Sequence, residues 1–253
     1  MSFISPQWDA PKSVHALVST RNGGVSKKPF ASLNLGDHVG DSLQDVLSNR
    51  ALFSKALPAE PIWLKQTHST VVSTPQSRRV NSKGLIEADA SVTNIPREVL
   101  TVMTADCLPV LFSDSTGGAI GAAHAGWRGL CKGILENTVT ELLKISADTS
   151  AADFVVWLGP AIGPKSFEVG KDVVQSFLET DLPIPENAFK EIPNKSGKFL
   201  ADIYLLARGR LEACGIKMIS GGQYCTVIDS EHFFSYRRDG ETGRFASAIW
   251  IDK

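Results

Sequence analysis

The chain has 253 residues, 43% of them apolar, and 26 Lys and Arg against 27 Asp and Glu give a formal net charge of -1. That balance offers no electrostatic reason to expect nucleic acid or an anionic membrane as partner, and no run approaches the roughly 20 apolar residues of a membrane span. Four widely spaced cysteines with no CxxC pair read as reduced thiols, and the opening MSFISPQWDAPKSVHA lacks the apolar segment of a secretory signal, so a soluble cytoplasmic protein is expected.

Along the chain, VHALVSTRNGGVS reads as a short strand running into a Gly-Gly turn. DSLQDVLSNRALFSKAL reads as an amphipathic helix opened by Asp41 or Ser42. PIWLKQTHSTVVS is expected to be a strand. REVLTVMTAD, LPVLFSD and GAIGAAHA are three further apolar strands, with a turn at DSTGG between the last two. After GWRG a helix is expected, with Leu130, Ile134, Leu135, Val139, Leu142 and Leu143 on one face. DFVVWLGP is a strand, and KDVVQSFLE and ADIYLLARGRLEACG are helices. DLPIPENAFKEIPNKSGK reads as an irregular loop, and FFSYRRDGETGRFASAIWI as a hairpin. The pattern implies one α+β domain spanning 1–253, with mixed sheets at the centre and helices outside.

Folding LPVLFSD back on GAIGAAHA about a two-residue tip at Ser115 and Thr116 puts Cys107 opposite His124. Residues opposed in an antiparallel ladder share a face, with Cβ atoms about 4.5–5.5 Å apart. That separation suits two ligands of one metal ion. It equally suits a buried Cys beside a hydrogen-bonded core His. A zinc site needs a third protein ligand, and His15, His38, His68 and His232 remain. Composition does not choose among them. A set of two imidazoles and a thiolate suits zinc or, less well, copper.

The motifs KQTH, ADCLPV, AAHAGWRG, GPAIGP, FEVG and FFSYRRDGETGR, in this order over nearly the whole chain, resemble the purine nucleoside phosphorylase and polyphenol oxidase-like family. This is also called the laccase-domain family, and its bacterial members include a peptidoglycan editing factor. The resemblance implies that His68, Cys107 and His124 hold zinc. It implies phosphorolysis of adenosine, inosine and methylthioadenosine, with adenosine deamination as a second activity. The partners would then be a nucleoside and phosphate.

Each demand of that chemistry can be set against residue types. Phosphate near C1′ of the ribose calls for an arginine or a helix N-terminus. Arg128 stands at the start of the helix after GWRG, and Arg21 in TRNGG is a second candidate; the bland alternative for both is a structural or solvated arginine. YRRDGETGR supplies Arg237, Arg238 and Arg244 as well, at least one of them a solvated hairpin charge, and none is assigned to catalysis. Deamination needs an activated water and an acid–base group. Asp106 fits that role, or else orients a neighbouring residue. Asn34 could bind the ribose or base, or simply form a turn. Trp127 is a stacking wall for a purine or a core residue. GPAIGPKS is expected to be a rigid loop beside the pocket, because Pro164 removes an N–H that a phosphate loop would need. Two rival readings stay open: a Cys107 nucleophile with His124 as base, hydrolysing an amide in a peptidoglycan precursor, and a single-copper polyphenol oxidase. Five histidines without an H-x-H pair are too few for a four-copper oxidase.

Overall fold

The computed structural model describes residues 2–80, 86–146 and 148–252. Two sheets lie at its centre. One has five strands in the order Phe3–Ile4, Val14–Ser19, Phe245–Ile251, Val99–Thr104 and Pro61–Ile62. The other has six, in the order Met218–Gly221, Phe154–Leu158, Leu108–Asp114, Ile120–Ala125, Ala90–Thr93 and Val72–Ser73.

Side-chain alternation decides which faces meet. Leu100, Val102, Phe245 and Ile249 of the first sheet pack on Leu111, Ile120, Ala122 and Trp157 of the second in one buried cluster. The intervening Val99, Met103, Ala246 and Ala248 point the other way, toward Phe53 of the helix Leu43–Ser54. On the far face of the six-stranded sheet, Val110, Phe112, Ala123 and Val156 meet Leu130, Ile134, Leu135, Val139, Leu142 and Leu211. These come from the helices Trp127–Lys132, Ile134–Ile145 and Ile203–Ala213. Helices therefore cover both outer faces of a double sheet, as the expected α+β class requires. The central strands are buried on both sides, which is why they read as unbroken apolar runs.

Several local expectations are corrected. The helix after GWRG is two helices, broken at Gly133 with φ 98°, and Leu143 is 37% exposed, off the buried face. The strand expected over residues 61–73 is three short pieces, with 66–71 a loop in which His68 has φ 59°. The hairpin expected over residues 233–251 does not form. Phe233 and Phe234 are buried in the inter-sheet core, Tyr236–Asp239 is one helical turn capped by Ser235, and Phe245–Ile251 pairs with Val14–Ser19 and Val99–Thr104. The irregular stretch 181–198 ends in strands: Phe189–Glu191 and Lys198–Ala201 join Glu168–Gly170 in a third sheet. Sequence reading also missed Met218–Gly221, a short strand parallel to Phe154–Leu158.

Candidate active site

The hairpin of Leu108–Asp114 and Ile120–Ala125 sets the site. Its register puts His124 opposite Pro109, two residues from the expected partner Cys107. The turn takes in residues 115–118, with Gly117 at φ 76°, and the Asp114 N–H donates to the Ala119 carbonyl. A shift of two residues preserves the face on which a side chain lies. Cys107, at the mouth of the hairpin, therefore still meets His124, diagonally rather than directly.

The loop 66–69 brings the third member. His68 Nε2 lies 3.7 Å from Cys107 Sγ, and the His68 and His124 ring centroids are 4.8 Å apart. One potential ligand atom from each of His68, Cys107 and His124 lies within 4.8 Å of the others. Gly126 makes room for them. A Cβ there would stand 2.6 Å from His68 Cδ2 and 3.0 Å from Cys107 Sγ.

One carboxylate organises the group. Asp89 is fully buried just before the strand Ala90–Thr93. It accepts hydrogen bonds from the amides of Thr67, His68 and Ser69, from the Ser69 hydroxyl, and from His124 Nδ1 at 2.8 Å. The three converging amides hold the loop, and His68 with it, in its left-handed turn. Binding Nδ1 also orients the His124 ring and leaves Nε2 for the cluster. Burial works to raise the Asp89 pKa, but the hydrogen bonds from His124 and Ser69 and the His124 charge outweigh it and hold the carboxyl down to about 2. The same balance acts on the other two groups. Burial would raise the Cys107 thiol, yet His124 and His68 bring it down to about 6. Burial would lower His124, yet Cys107 and Asp89 push it up to about 9.

The donor set fits a metal ion. Two imidazoles and a thiolate are donors that transition-metal ions accept, and ligands about 2.0–2.3 Å from a tetrahedral ion stand roughly 3.3–3.8 Å apart. The His68–Cys107 separation falls in that range.

The group lies in a cavity of about 450 Å³. Trp127, Arg128, Ile162, Phe167, Tyr236, Arg237, Arg244 and His38 line it. Arg128 stacks on Trp127 at 4.4 Å, and its guanidinium makes no hydrogen bond or ion pair among the described residues. Arg244 uses Nη1 on the carbonyls of Thr242 and Gly243. Arg237 Nη1 is bound to the carbonyls of Ser166 and Glu168. Ile162, in GPAIGPKS, donates its amide to the Asp106 carbonyl and lines the cavity, so that stretch is a loop beside the pocket.

Three expected site residues are placed differently. Asn34 is fully buried away from the cavity. It binds Gly36 and Asp41 and takes the Arg244 amide, so it shapes a loop and touches no ligand space. Arg21 donates to the carbonyls of Ala31 and Ser230 and lies over Phe234, outside the cavity lining. Asp106 borders the cavity, but its two oxygens are taken by the Thr226 hydroxyl and the Arg237 amide, each at 2.6 Å. It lies at φ 89°, outside the extended conformation of the strands on either side. Sequence reading missed Asp89, Gly126 and the cavity positions of His38 and Arg244. A lone Asp in the apolar stretch ADASV was the available signal for Asp89.

A double sheet with helices on both sides and a His–Cys–His group at the end of its inter-sheet layer defines the class. The chain belongs to the family described as multi-copper polyphenol oxidoreductase laccase, which it matches over residues 15–252. It is 48% identical to a Haemophilus influenzae protein named purine nucleoside phosphorylase, over the full length of both chains. It is 49% identical to purine nucleoside phosphorylase YfiH of Escherichia coli, covering 98% of each. Among solved structures, Neisseria meningitidis protein NMB0706 superposes with a TM-score of 0.90 at 46% identity, covering all of both chains. YlmD from Geobacillus stearothermophilus gives 0.85 at 33% identity, covering 96% of this chain and 93% of that one. Among the described residues no helix is long and apolar enough to cross a membrane.

Proposed function

We propose that this chain is a zinc-dependent purine nucleoside phosphorylase of the cytoplasm, acting on adenosine, inosine and methylthioadenosine, with adenosine deamination as a slower activity. The observation that carries it is one cavity receiving both the His68–Cys107–His124 group and the guanidinium of Arg128, which has no hydrogen-bond or ion-pair partner among the described residues. The names of the relatives at 48–49% identity support the reaction class. The strand Phe245–Ile251 pairs with Val14–Ser19 near the other end of the chain, which supports one domain over 1–253.

Zinc held by His68, Cys107 and His124 would supply Lewis acidity toward an oxygen of the nucleoside or of water. Arg128 binds phosphate beside C1′, with Trp127 under its guanidinium fixing the fork. Trp127, Phe167 and Tyr236 offer aromatic faces to the purine. In phosphorolysis a phosphate oxygen bonds to C1′, the C1′–N9 bond breaks, and its electron pair leaves with the purine. Assay of metal-quantified protein should give adenine and ribose 1-phosphate from adenosine only with phosphate present. Release of base at the same rate without phosphate makes the reaction a hydrolysis. Arg128→Ala should raise the phosphate concentration needed for half-maximal rate at least tenfold, the equivalent of about 1.4 kcal/mol.

One observation favours a second reading. Cys107, with its thiol brought down to about 6 beside two imidazoles, also has the setting of a nucleophile. The two readings part on alkylation. As a zinc ligand, Cys107 is labelled slowly in the metal-loaded protein and quickly after chelation. Fast labelling with zinc still bound, or a covalent substrate adduct on Cys107, selects amide hydrolysis.

A further inference from the structure

Phosphorolysis moves a proton as well as a sugar. Monohydrogen phosphate loses one when its oxygen bonds to C1′, and the purine gains one when the C1′–N9 electron pair leaves with it. Few groups lining the cavity can carry it. His68, Cys107 and His124 form the metal-ligand group. Both oxygens of Asp106 are occupied by Thr226 and Arg237. Tyr236 offers only a phenol hydroxyl.

His38 remains. It lines the cavity with its side chain 55% exposed, and its Nδ1 lies 3.5 Å from Asp37 Oδ1. Asp37 is itself held: its Oδ2 is 3.2 Å from Arg50 Nη2, and Arg50 donates Nε to the Leu35 carbonyl and lies 4.3 Å over Trp63. The loop that carries His38 is fixed to Arg244. Asn34 Oδ1 accepts from the amides of both Gly36 and Arg244, and a Cβ on Gly36 would stand 2.8 Å from Arg244 Cγ. A carboxylate on one ring nitrogen sets the tautomer and leaves the other nitrogen for chemistry.

We propose that His38 is the proton-transferring residue of this cavity, its Nε2 taking the proton of monohydrogen phosphate and passing it to a ring nitrogen of the departing purine. The inference rests on the phosphorolysis reading. Atoms and charge balance: phosphate O bonds to C1′, C1′–N9 breaks, one proton moves from phosphate to purine, and His38 ends neutral as it began. Burial, then the Arg244 guanidinium and the Arg50 charge, outweigh the opposing pull of Asp37 and hold His38 below its ordinary imidazole range. That favours the neutral ring, the form that can accept a proton.

The test compares two leaving groups. In 7-methylinosine the purine departs without gaining a proton, because N7 is already alkylated, and the proton of phosphate goes to solvent once the C1′–O bond has formed. His38→Gln keeps an amide near the imidazole position but cannot cycle a proton. With zinc content and thermal midpoint matching wild type, kcat on inosine should fall about 10²- to 10⁴-fold, the range of general acid–base catalysis. On 7-methylinosine it should fall less than about tenfold. Wild type that cleaves both nucleosides, with equal losses in the variant or none on inosine, overturns the role of His38 alone. Wild type that cleaves neither nucleoside in phosphate overturns the phosphorolysis reading and this proposal with it.

Discussion

Two buried aspartates hold the two sides of the cavity, and they do so by different physics. Asp89 accepts five hydrogen bonds, and one of its donors, His124, can carry a positive charge. Asp106 accepts two, both from neutral donors, the Thr226 hydroxyl and the Arg237 amide. A buried carboxylate costs several kcal/mol unless charge or hydrogen bonds compensate it. On the metal-ligand side charge compensation is built in, so that side should respond to protons and to metal. On the arginine side no donor to the carboxylate is charged, and the charge it feels is the Arg244 guanidinium, which makes no hydrogen bond to it.

The largest expected effect is that of pH on metal affinity. In the metal-free protein Cys107 is a thiolate above about pH 6, and His124 keeps its proton up to about pH 9. A metal ion needs both deprotonated. Between those values each ion bound should release about one proton, and affinity should rise roughly tenfold per pH unit. Below about pH 6 Cys107 must lose its proton too, and the slope steepens. Calorimetry of zinc binding in buffers of different ionisation enthalpy reads the proton count directly. A count near zero at pH 7.5 would remove the thiolate–imidazolium pair from the account.

Asp89→Asn comes next. The amide would turn an NH₂ toward backbone N–H donors and leave His124 without its carboxylate. Breaking such a buried pair costs about 3–5 kcal/mol, and losing the hydrogen bond that orients a ligand His weakens metal binding about 10- to 100-fold. The sign with pH follows from the lowered carboxyl. Its stabilising contribution is complete above the ordinary value of 3.8 and is lost as pH falls through about 2. Urea unfolding should therefore show a wide gap between wild type and variant at pH 7 that narrows from about pH 4 downward. A gap that stays constant with pH would assign the loss to packing.

What the sequence disclosed follows the same division. Apolar runs and periodicity were enough for the α+β class and for most of the central strands and helices, because these bury contiguous faces whose period is local, but not for their breaks or for how the strands divide between two sheets. The pairing of Cys107 with His124 was legible in its face but not its register. Ser115 and Thr116 do not announce that the turn takes four residues and puts Gly117 at φ 76°. Asp89 was hidden because its five partners come from residues 67–69 and from His124, 35 positions away. Arg244 looked like a hairpin charge, and His38 was one of four histidines among which composition did not choose. Their place at the cavity depends on Asn34, which joins residues 34–38 to residue 244 through an amide 210 positions distant. Asn34 and Arg21 were polar residues in turns, and from sequence alone a polar residue that builds a turn looks the same as one that faces a ligand.

The smallest expected effect, and the one that separates the two aspartates most cleanly, is Asp106→Asn. Asparagine tolerates the left-handed backbone at φ 89° better than alanine does, so the variant tests the side chain without adding strain. Its carbonyl oxygen still accepts the Arg237 amide, and its NH₂ can donate to the Thr226 oxygen, which as a hydroxyl accepts equally well. Only the charge assistance of the two bonds is lost, about 1 kcal/mol of stability. Zinc affinity should stay within about twofold of wild type, since no donor to the metal-ligand group changes. Were Asp106 the acid or base of the reaction, removing its titration would lower kcat about 10²- to 10⁴-fold. As the residue that positions the turn Tyr236–Asp239, its replacement should lower kcat/KM by less than about tenfold and leave the pH–rate profile in place. Steady-state kinetics of the variant across pH 6 to 9, with urea unfolding alongside, reads both quantities. A fall of a hundredfold or more with normal stability would return Asp106 to the chemistry and make the two sides of the cavity alike.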